Sequence, residues 1–319
     1  MTKPMKILIG YDGSECADAA LEDLRCAGMP RSAEAVVLSV ADVFLPPPVK
    51  EGVDDVFPLY VPEGVKRAHA HAARVLGDAR AKAERAAGRV GASFPDWSVR
   101  AEATADSPAW ALVLKAAAWK PDLVVVGAHG HTVLGGRLIL GSVSQRVLYE
   151  AGCSVRVARD GKRRAVGSPV RIIVGMDGSH DAEAAVEVVA AREWPAGSEA
   201  RLVTVLDTFM SFKAGPDEPS TLKWVDAEDE KDWDWVRGVF EPSAEKLRRA
   251  GLKASIELKR GNPKSVLVEE AEGWGADCVF VGATGLRGAE RLLMGSVPAA
   301  VAARAHCSVE VVRPSAKKP

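Results

Sequence analysis

The sequence predicts an α/β protein of two tandem doubly wound domains, each on a five-stranded parallel sheet. Two observations carry this expectation. Three blocks recur in the same order in the two halves of the 319 residues, and each half alternates short β-branched runs with longer amphipathic stretches. Residues 6–14 (KILIGYDGS) return as 171–179 (RIIVGMDGS), 122–130 (DLVVVGAHG) as 277–285 (DCVFVGATG), and 153–157 (CSVRV) as 307–311 (CSVEV). The intervals are 165, 155 and 154 residues, so the first half carries about ten extra residues between its first two blocks.

The first strand is expected over 5–11. Ser14 then N-caps a helix with Ala17, Ala20, Leu21 and Leu24 at inward spacing, and Gly28 stops it. A strand over 34–41 leads into residues 44–64, where Pro46, Pro47, Pro48, Pro58 and Pro62 demand an irregular excursion; a helix follows from about residue 65 to 87. Strands over 97–104, 121–128 and 153–158 complete the half. Runs such as Val124-Val125-Val126 lack polar alternation, which marks strands buried on both faces, and strands separated by helices pair in parallel through right-handed crossovers. Residues 159–169 are polar and without apolar periodicity, so a linker is placed at 161–168 between domains at 1–160 and 169–319. Its Lys162, Arg163 and Arg164 read as solvated charge. The second half repeats the plan, with strands over 170–176, 200–206, 253–259, 277–283 and 307–312 and a helix behind Ser179 that turns Ala182, Ala185, Val186 and Val189 inward. Residues 208–227, with Pro216 and Pro219, form a second irregular excursion; beyond them Trp233 with Val236, or Trp235 with Val239, bury a helix face.

Composition excludes several classes of partner. The 42 Lys+Arg and 43 Asp+Glu leave a formal charge of −1, so no excess of positive charge exists to hold nucleic acid or an acidic membrane surface. No apolar run approaches the ~18–20 residues of a membrane span, and the apolar segment at 7–10 is too short for a signal peptide. A cytoplasmic protein is expected. Five scattered cysteines, Cys16, Cys26, Cys153, Cys278 and Cys307, contain no Cys-x-x-Cys and read as reduced structural thiols.

The chemistry is expected after the fourth strand of each half. Gly282-Ala283-Thr284-Gly285 is followed after nine residues by Gly295-Ser296-Val297. Glycine there lets a phosphate approach backbone amides, and Gly295-Ser296 opens a helix whose free N–H groups and positive dipole end favour an anion. In a doubly wound domain this loop lies at the carboxyl ends of the strands, beside Asp177 at the end of the first strand, whose carboxylate can accept from a ribose hydroxyl or an adenine amine. On these residues the sequence resembles the universal stress protein family in its tandem form. The family signature, Gly-x2-Gly-x9-Gly-Ser/Thr after an Asp, is met by Gly282, Gly285, Gly295, Ser296 and Asp177, and the first half resembles it through Asp12, Gly127, Gly130, Gly141 and Ser142. The resemblance implies a Rossmann-like fold of the adenine nucleotide alpha hydrolase-like type, with the halves related by pseudo-twofold symmetry. It implies ATP as ligand, with AMP or ADP and an accompanying Mg as further candidates, and pockets lined also by Gly10, Val40, Val126 and Val143, and by Gly175, Val205, Val281 and Val297. It further implies that strands 154–158 and 308–312 meet across the pseudo-twofold axis as an intramolecular pseudo-dimer; a further homodimer is allowed.

Both halves depart from the signature. Ten residues, not nine, separate Gly130 from Gly141; the second half keeps nine but has Thr284 where many members place a basic residue and Pro298 where a hydroxyl often helps hold phosphate. On spacing, the second half ranks slightly ahead. A P-loop, Gly-x4-Gly-Lys-Ser/Thr, and the dinucleotide Gly-x-Gly-x-x-Gly are both absent, and no catalytic triad can be argued from spacing. A binding or regulatory protein, with at most slow ATP hydrolysis, is therefore expected, and the alternative is a nucleotide-free interaction module of the same fold. His69 and His71 sit two apart on a helix and face different ways, so no metal site is expected there; His129 can approach a phosphate or sit solvated, and His306-Cys307 opens a buried strand.

Overall fold

The computed structural model describes residues 3–43, 63–129, 140–160, 165, 167–206, 209–213, 222–226, 230–285 and 294–314. In the first half β1 (Met5–Gly10) is followed by α1 (Glu15–Asp23), a 3-10 turn (Leu24–Cys26), β2 (Ala33–Ala41), α2 (Glu63–Ser93), β3 (Ser98–Ala105), α3 (Pro108–Trp119), β4 (Leu123–Gly127), α4 (Ser142–Glu150) and β5 (Ser154–Ala158). The second half runs β6 (Arg171–Met176), α5 (His180–Ala190), β7 (Glu199–Leu206), β8 (Phe209–Lys213), β9 (Leu222–Asp226), α6 (Glu230–Arg249), β10 (Lys253–Arg260), α7 (Pro263–Trp274), β11 (Cys278–Gly282), α8 (Ser296–Arg304) and β12 (Ser308–Val312).

Ten strands form one sheet in the order β10-β7-β6-β11-β12-β5-β4-β1-β2-β3. Neighbours within each half are parallel, and the one junction between halves, β5 with β12, is antiparallel. The two five-stranded sheets are therefore continuous, and each covers an edge whose backbone amides would otherwise be exposed. The isolated β8–β9 hairpin, paired from Phe209 with Asp226 to Lys213 with Leu222, lies in a stretch that reads as irregular. The reason is positional: Pro216 and Pro219 fall between the two strands, outside the described residues, so neither breaks a ladder. The proline-rich residues 44–62 also lie outside them, as do the linker's Lys162, Arg163 and Arg164. Helix α2 runs past Gly88 and Gly91 to Ser93 because Ala86 and Val90 are buried against the sheet. That burial outweighs the ~1 kcal/mol that each glycine costs a helix.

Three apolar clusters fill the two faces. Each half keeps its own on one side: Ile7, Ile9, Leu21, Val37 and Val90 in the first, and Ile172, Val174, Val186, Leu202 and Phe240 in the second, joined by half-buried Trp233, Trp235 and Val239 of α6. The other side is shared, with Val147 and Leu148 of α4, Val301 and Ala302 of α8, and Val155, Val157, Val309 and Val311 of the junction strands in one cluster. At the junction the register sets Glu310 opposite Arg156, with Val309 on Val157 and Val311 on Val155. Arg156 and Glu310 are each 1% exposed. Arg156 grips Asp23 through Nε at 2.6 Å and Nη2 at 3.0 Å and reaches across to Glu310 at 3.3 Å; Arg192, in the same half as Glu310, closes on it and donates across to the Ala27 carbonyl at 2.8 Å. Both guanidiniums lie over the Phe280 ring, 6.0 and 5.0 Å from its centre. Beyond the strands, Arg159 donates to the Ala302 and Ala303 carbonyls near the end of α8, and Arg313 to the Leu148 carbonyl near the end of α4. Each half thus caps a helix of the other with a cation at its negative pole.

Candidate functional site

In each half an Asp-Gly-Ser turn joins the first strand to the first helix. The Oδ1 of Asp12 accepts from the Ser14 amide at 2.9 Å, Gly13 takes φ +82°, and Ser14 Oγ accepts from the Ala17 amide at 3.2 Å as the N-cap of α1. Asp177, Gly178 at φ +79° and Ser179 repeat this with the Ala182 amide. The Asp at the strand end therefore has a structural task that the sequence reading did not assign: it closes an Asx-turn. The positive φ is what requires glycine between Asp and Ser.

The signature glycines divide into two jobs. A Cβ on Gly127 would come 2.7 Å from the Cys16 carbonyl oxygen, and one on Gly282 would come 2.7 Å from the Asp181 carbonyl carbon. These glycines let the first turn of α1 or α5 pack onto the fourth strand of its half, so packing rather than ligand access demands them. At Gly285 a Cβ would stand 2.6 Å from Asp177 Oδ2, which brings the second half's loop against the strand-end carboxylate. Gly10 and Gly175 make room on the other face, for Leu112 and Val126 and for Leu267 and Val281.

Each loop is stitched at both ends. The Ala128 amide donates to the Ala158 carbonyl and the Gly141 amide to the Ala128 carbonyl, both at 2.9 Å; Ala283 and Gly295 do the same with Val312 and Ala283 at 2.9 and 2.8 Å. Gly130 and residues 131–139, like 286–293, lie outside the described residues. Gly141 and Gly295 occupy the cap positions of α4 and α8 with extended ψ (156° and 157°), and neither helix has a side-chain cap. Ser142 and Ser296 are exposed at the first helical positions, with Val143 and Val297 half-buried behind them. Val40, Val126 and Val143, and likewise Val205, Val281 and Val297, belong to the shared apolar cluster and form its edge at the strand ends. The topology thus gathers Gly10, Asp12, Val40, Val126, Gly127, His129, Gly141, Ser142 and Val143 at one end of the first half, and their counterparts at one end of the second.

Sequence reasoning missed the supporting groups. Ser144, 3% exposed, donates its hydroxyl toward the Ala128 and Gly141 carbonyls, both at 2.9 Å, and fixes the loop against α4. Thr284 is held by Asp181, whose Oδ2 accepts from its amide at 3.0 Å and its hydroxyl at 2.6 Å. Aligning residue 16 with 181 shows that the first half has Cys16 where the second has Asp181. Burial, helped by the Arg159 charge, pushes the His129 imidazole below its ordinary pKa. Burial likewise raises the thiols of Cys153, to about 11, and Cys307, to about 12, which keeps them protonated and inert near neutrality. A cavity of about 1090 Å³ opens between the halves, lined by Asp18, Glu22, Asp23, Arg159, Asp277 and His306 among others. It includes none of the strand-end glycines, and its excess of carboxylates repels a polyanion, so it is set apart from the loops. Among the described residues, no cluster of His, Cys, Asp and Glu could hold a metal ion, and no helix is long and apolar enough to cross a membrane.

The universal stress protein family profile matches twice, over residues 4–159 and 170–313. The chain belongs to the universal stress protein family. It is 31% identical over 198 residues to a universal stress protein of Mycolicibacterium smegmatis, a match covering 60% of this chain and 62% of that protein; it therefore spans less than two-thirds of that relative's length. A 68-residue stretch, 21% of this chain and 40% of its counterpart, is 43% identical to a universal stress protein of Methanocaldococcus jannaschii. Among solved structures, a universal stress protein from Archaeoglobus fulgidus superposes with a TM-score of 0.60 at 18% identity, covering 97% of this chain and 98% of that one. This last likeness supports the tandem universal stress protein fold.

Proposed function

We propose that this universal stress protein binds an adenine nucleotide, ATP in preference to ADP or AMP, as a cytoplasmic regulatory protein rather than an enzyme. The observation that supports it best is the uncapped first turn of α4 and α8 standing behind a glycine loop, beside the Asp that ends the first strand. The chemistry is complementary at both ends of a nucleotide. Amides at the start of the helix hold phosphate oxygens, with the dipole adding up to ~2 kcal/mol in partly buried geometry. A strand-end carboxylate suits the adenine amine or a ribose hydroxyl, and the valine edge offers an apolar wall to the base. Any Mg would be carried mainly by the phosphates, because the described residues offer no carboxylate cluster for it. The β5–β12 register supports a second part of the reading: the halves stand in one chain for the two subunits of a dimer.

Mass spectrometry of material released on denaturing the purified chain is expected to show adenine nucleotide, and calorimetry of the stripped chain to show ATP binding. Absence of both overturns the reading. Steady ATP turnover at ~1 s⁻¹ or faster, within the ordinary enzyme range, overturns the non-catalytic part.

A further inference from the structure

Among the described residues of the two loops, three differences bear on what a phosphate would meet. In the second half Asp181 holds both the amide and the hydroxyl of Thr284 through one carboxylate oxygen. That side chain is only 15% exposed, and its Cβ packs against Gly282. The Thr284 amide is one of the loop donors, so it is already spent on a carboxylate, and that carboxylate stands in the opening turn of the loop. Pro298, buried in the first turn of α8, removes one further amide from the helix start.

The first half has a different residue at each of these places. Cys16 brings no carboxylate, His129 brings a basic ring, and Ser144 keeps its amide while its hydroxyl braces Ala128 and Gly141. The arginines that follow the last strands complete the contrast. The Asp181 charge favours the cation of Arg313, whereas the Arg159 charge disfavours protonation of His129. Among the described residues, an anion entering the second loop therefore meets a carboxylate in its opening turn, and one entering the first meets none at that place.

We propose that the chain takes one nucleoside triphosphate, in its first half, and that Asp181 closes the second half's loop to phosphate. The proposal rests on the nucleotide reading above and narrows it to one loop, reversing the order that spacing alone suggested. The full chain, stripped of nucleotide and titrated with ATP by calorimetry, is expected to bind one equivalent, and photolabelling with 8-azido-ATP to mark peptides of the first half only. Asp181→Cys combined with Pro298→Ser, which gives the second half the first half's residues at two of the three places, is expected to raise the count to two. Asp181→Asn keeps an acceptor for Thr284 and removes only the charge; it is expected to bring label into the second half even if the double variant fails to fold. Two equivalents on the unaltered chain, label on its second half, or variants that fold and still take one equivalent overturn the assignment while leaving nucleotide binding intact. A chain that binds no ATP overturns the nucleotide reading and this inference with it.

Discussion

Gly127 and Gly282 show how a motif glycine can serve the fold before it serves a ligand. With a Cβ only 2.7 Å from backbone atoms of α1 or α5, Gly127→Ala and Gly282→Ala each force the helix off the sheet. A loss of about 1–3 kcal/mol in urea unfolding is expected, as for other overpacked cores, and an unchanged midpoint would show that the helix yields without cost. Larger substitutions there would report on folding more than on binding. His129 gives a cleaner handle. Burial and then Arg159 hold its pKa below the ordinary ~6.5, so the ring is neutral at pH 7 and unprotonated protein predominates before ligand arrives. A phosphate beside the ring favours the imidazolium, so ATP affinity is expected to rise as pH falls through 7 toward 6, with proton uptake on binding. Calorimetry in buffers of different ionisation enthalpy measures that uptake, and His129→Ala should remove it. An uptake that survives the substitution belongs to another group.

At the scale of elements, Arg89 ties the long α2 to α1. It pairs with Asp18 and, at 3.3 Å, with Glu22, while the Tyr11 hydroxyl donates to Asp18 at 2.7 Å. Burial opposes ionisation of Asp18, but Tyr11 and Arg89 outweigh it and hold the carboxyl low; Arg25 and then Arg89 do the same for Glu22 against its own burial. Both folded pKa values lie below the unfolded ones, so their stabilisation is present above about pH 4–4.5 and is lost as pH falls through the folded values. These side chains are 42–57% exposed, so solvent screens the pairs and Arg89→Ala should cost no more than ~1 kcal/mol at pH 7. Thermal melts should show that deficit shrinking below pH 4; a deficit independent of pH would mean that Arg89 acts by packing. The parallel strands were legible in the sequence because runs such as Val124-Val125-Val126 need burial on both sides, and that demand is local. The β8–β9 hairpin was not, since its prolines mask two short strands that pair only with each other. The glycine loops were legible as a pattern, yet the tie between Asp181 and Thr284 spans 103 residues of chain and shows only when the repeats are laid over one another.

For the whole molecule, the decisive feature is the charged cluster under the junction. Arg156→Met would leave Asp23 and Glu310 without their shared cation, and a loss of about 3–5 kcal/mol is expected, the range for breaking a buried ion pair. Exchanging the two charges, with Arg156→Glu and Glu310→Arg together, is not expected to restore stability in urea unfolding, because the exchanged side chains would face Asp23 and Arg192, like charge to like. Full recovery would mean that the central pair acts alone. The same register carries a consequence for recognition between copies. Two first halves meeting through these strands would set Arg156 against Arg156, and two second halves Glu310 against Glu310, each buried and each repelling. The linker thus supplies only effective concentration, and the charges decide which half is met. Copies that opened at this seam could join one another only as an exchanged pair, first half on second, never like on like.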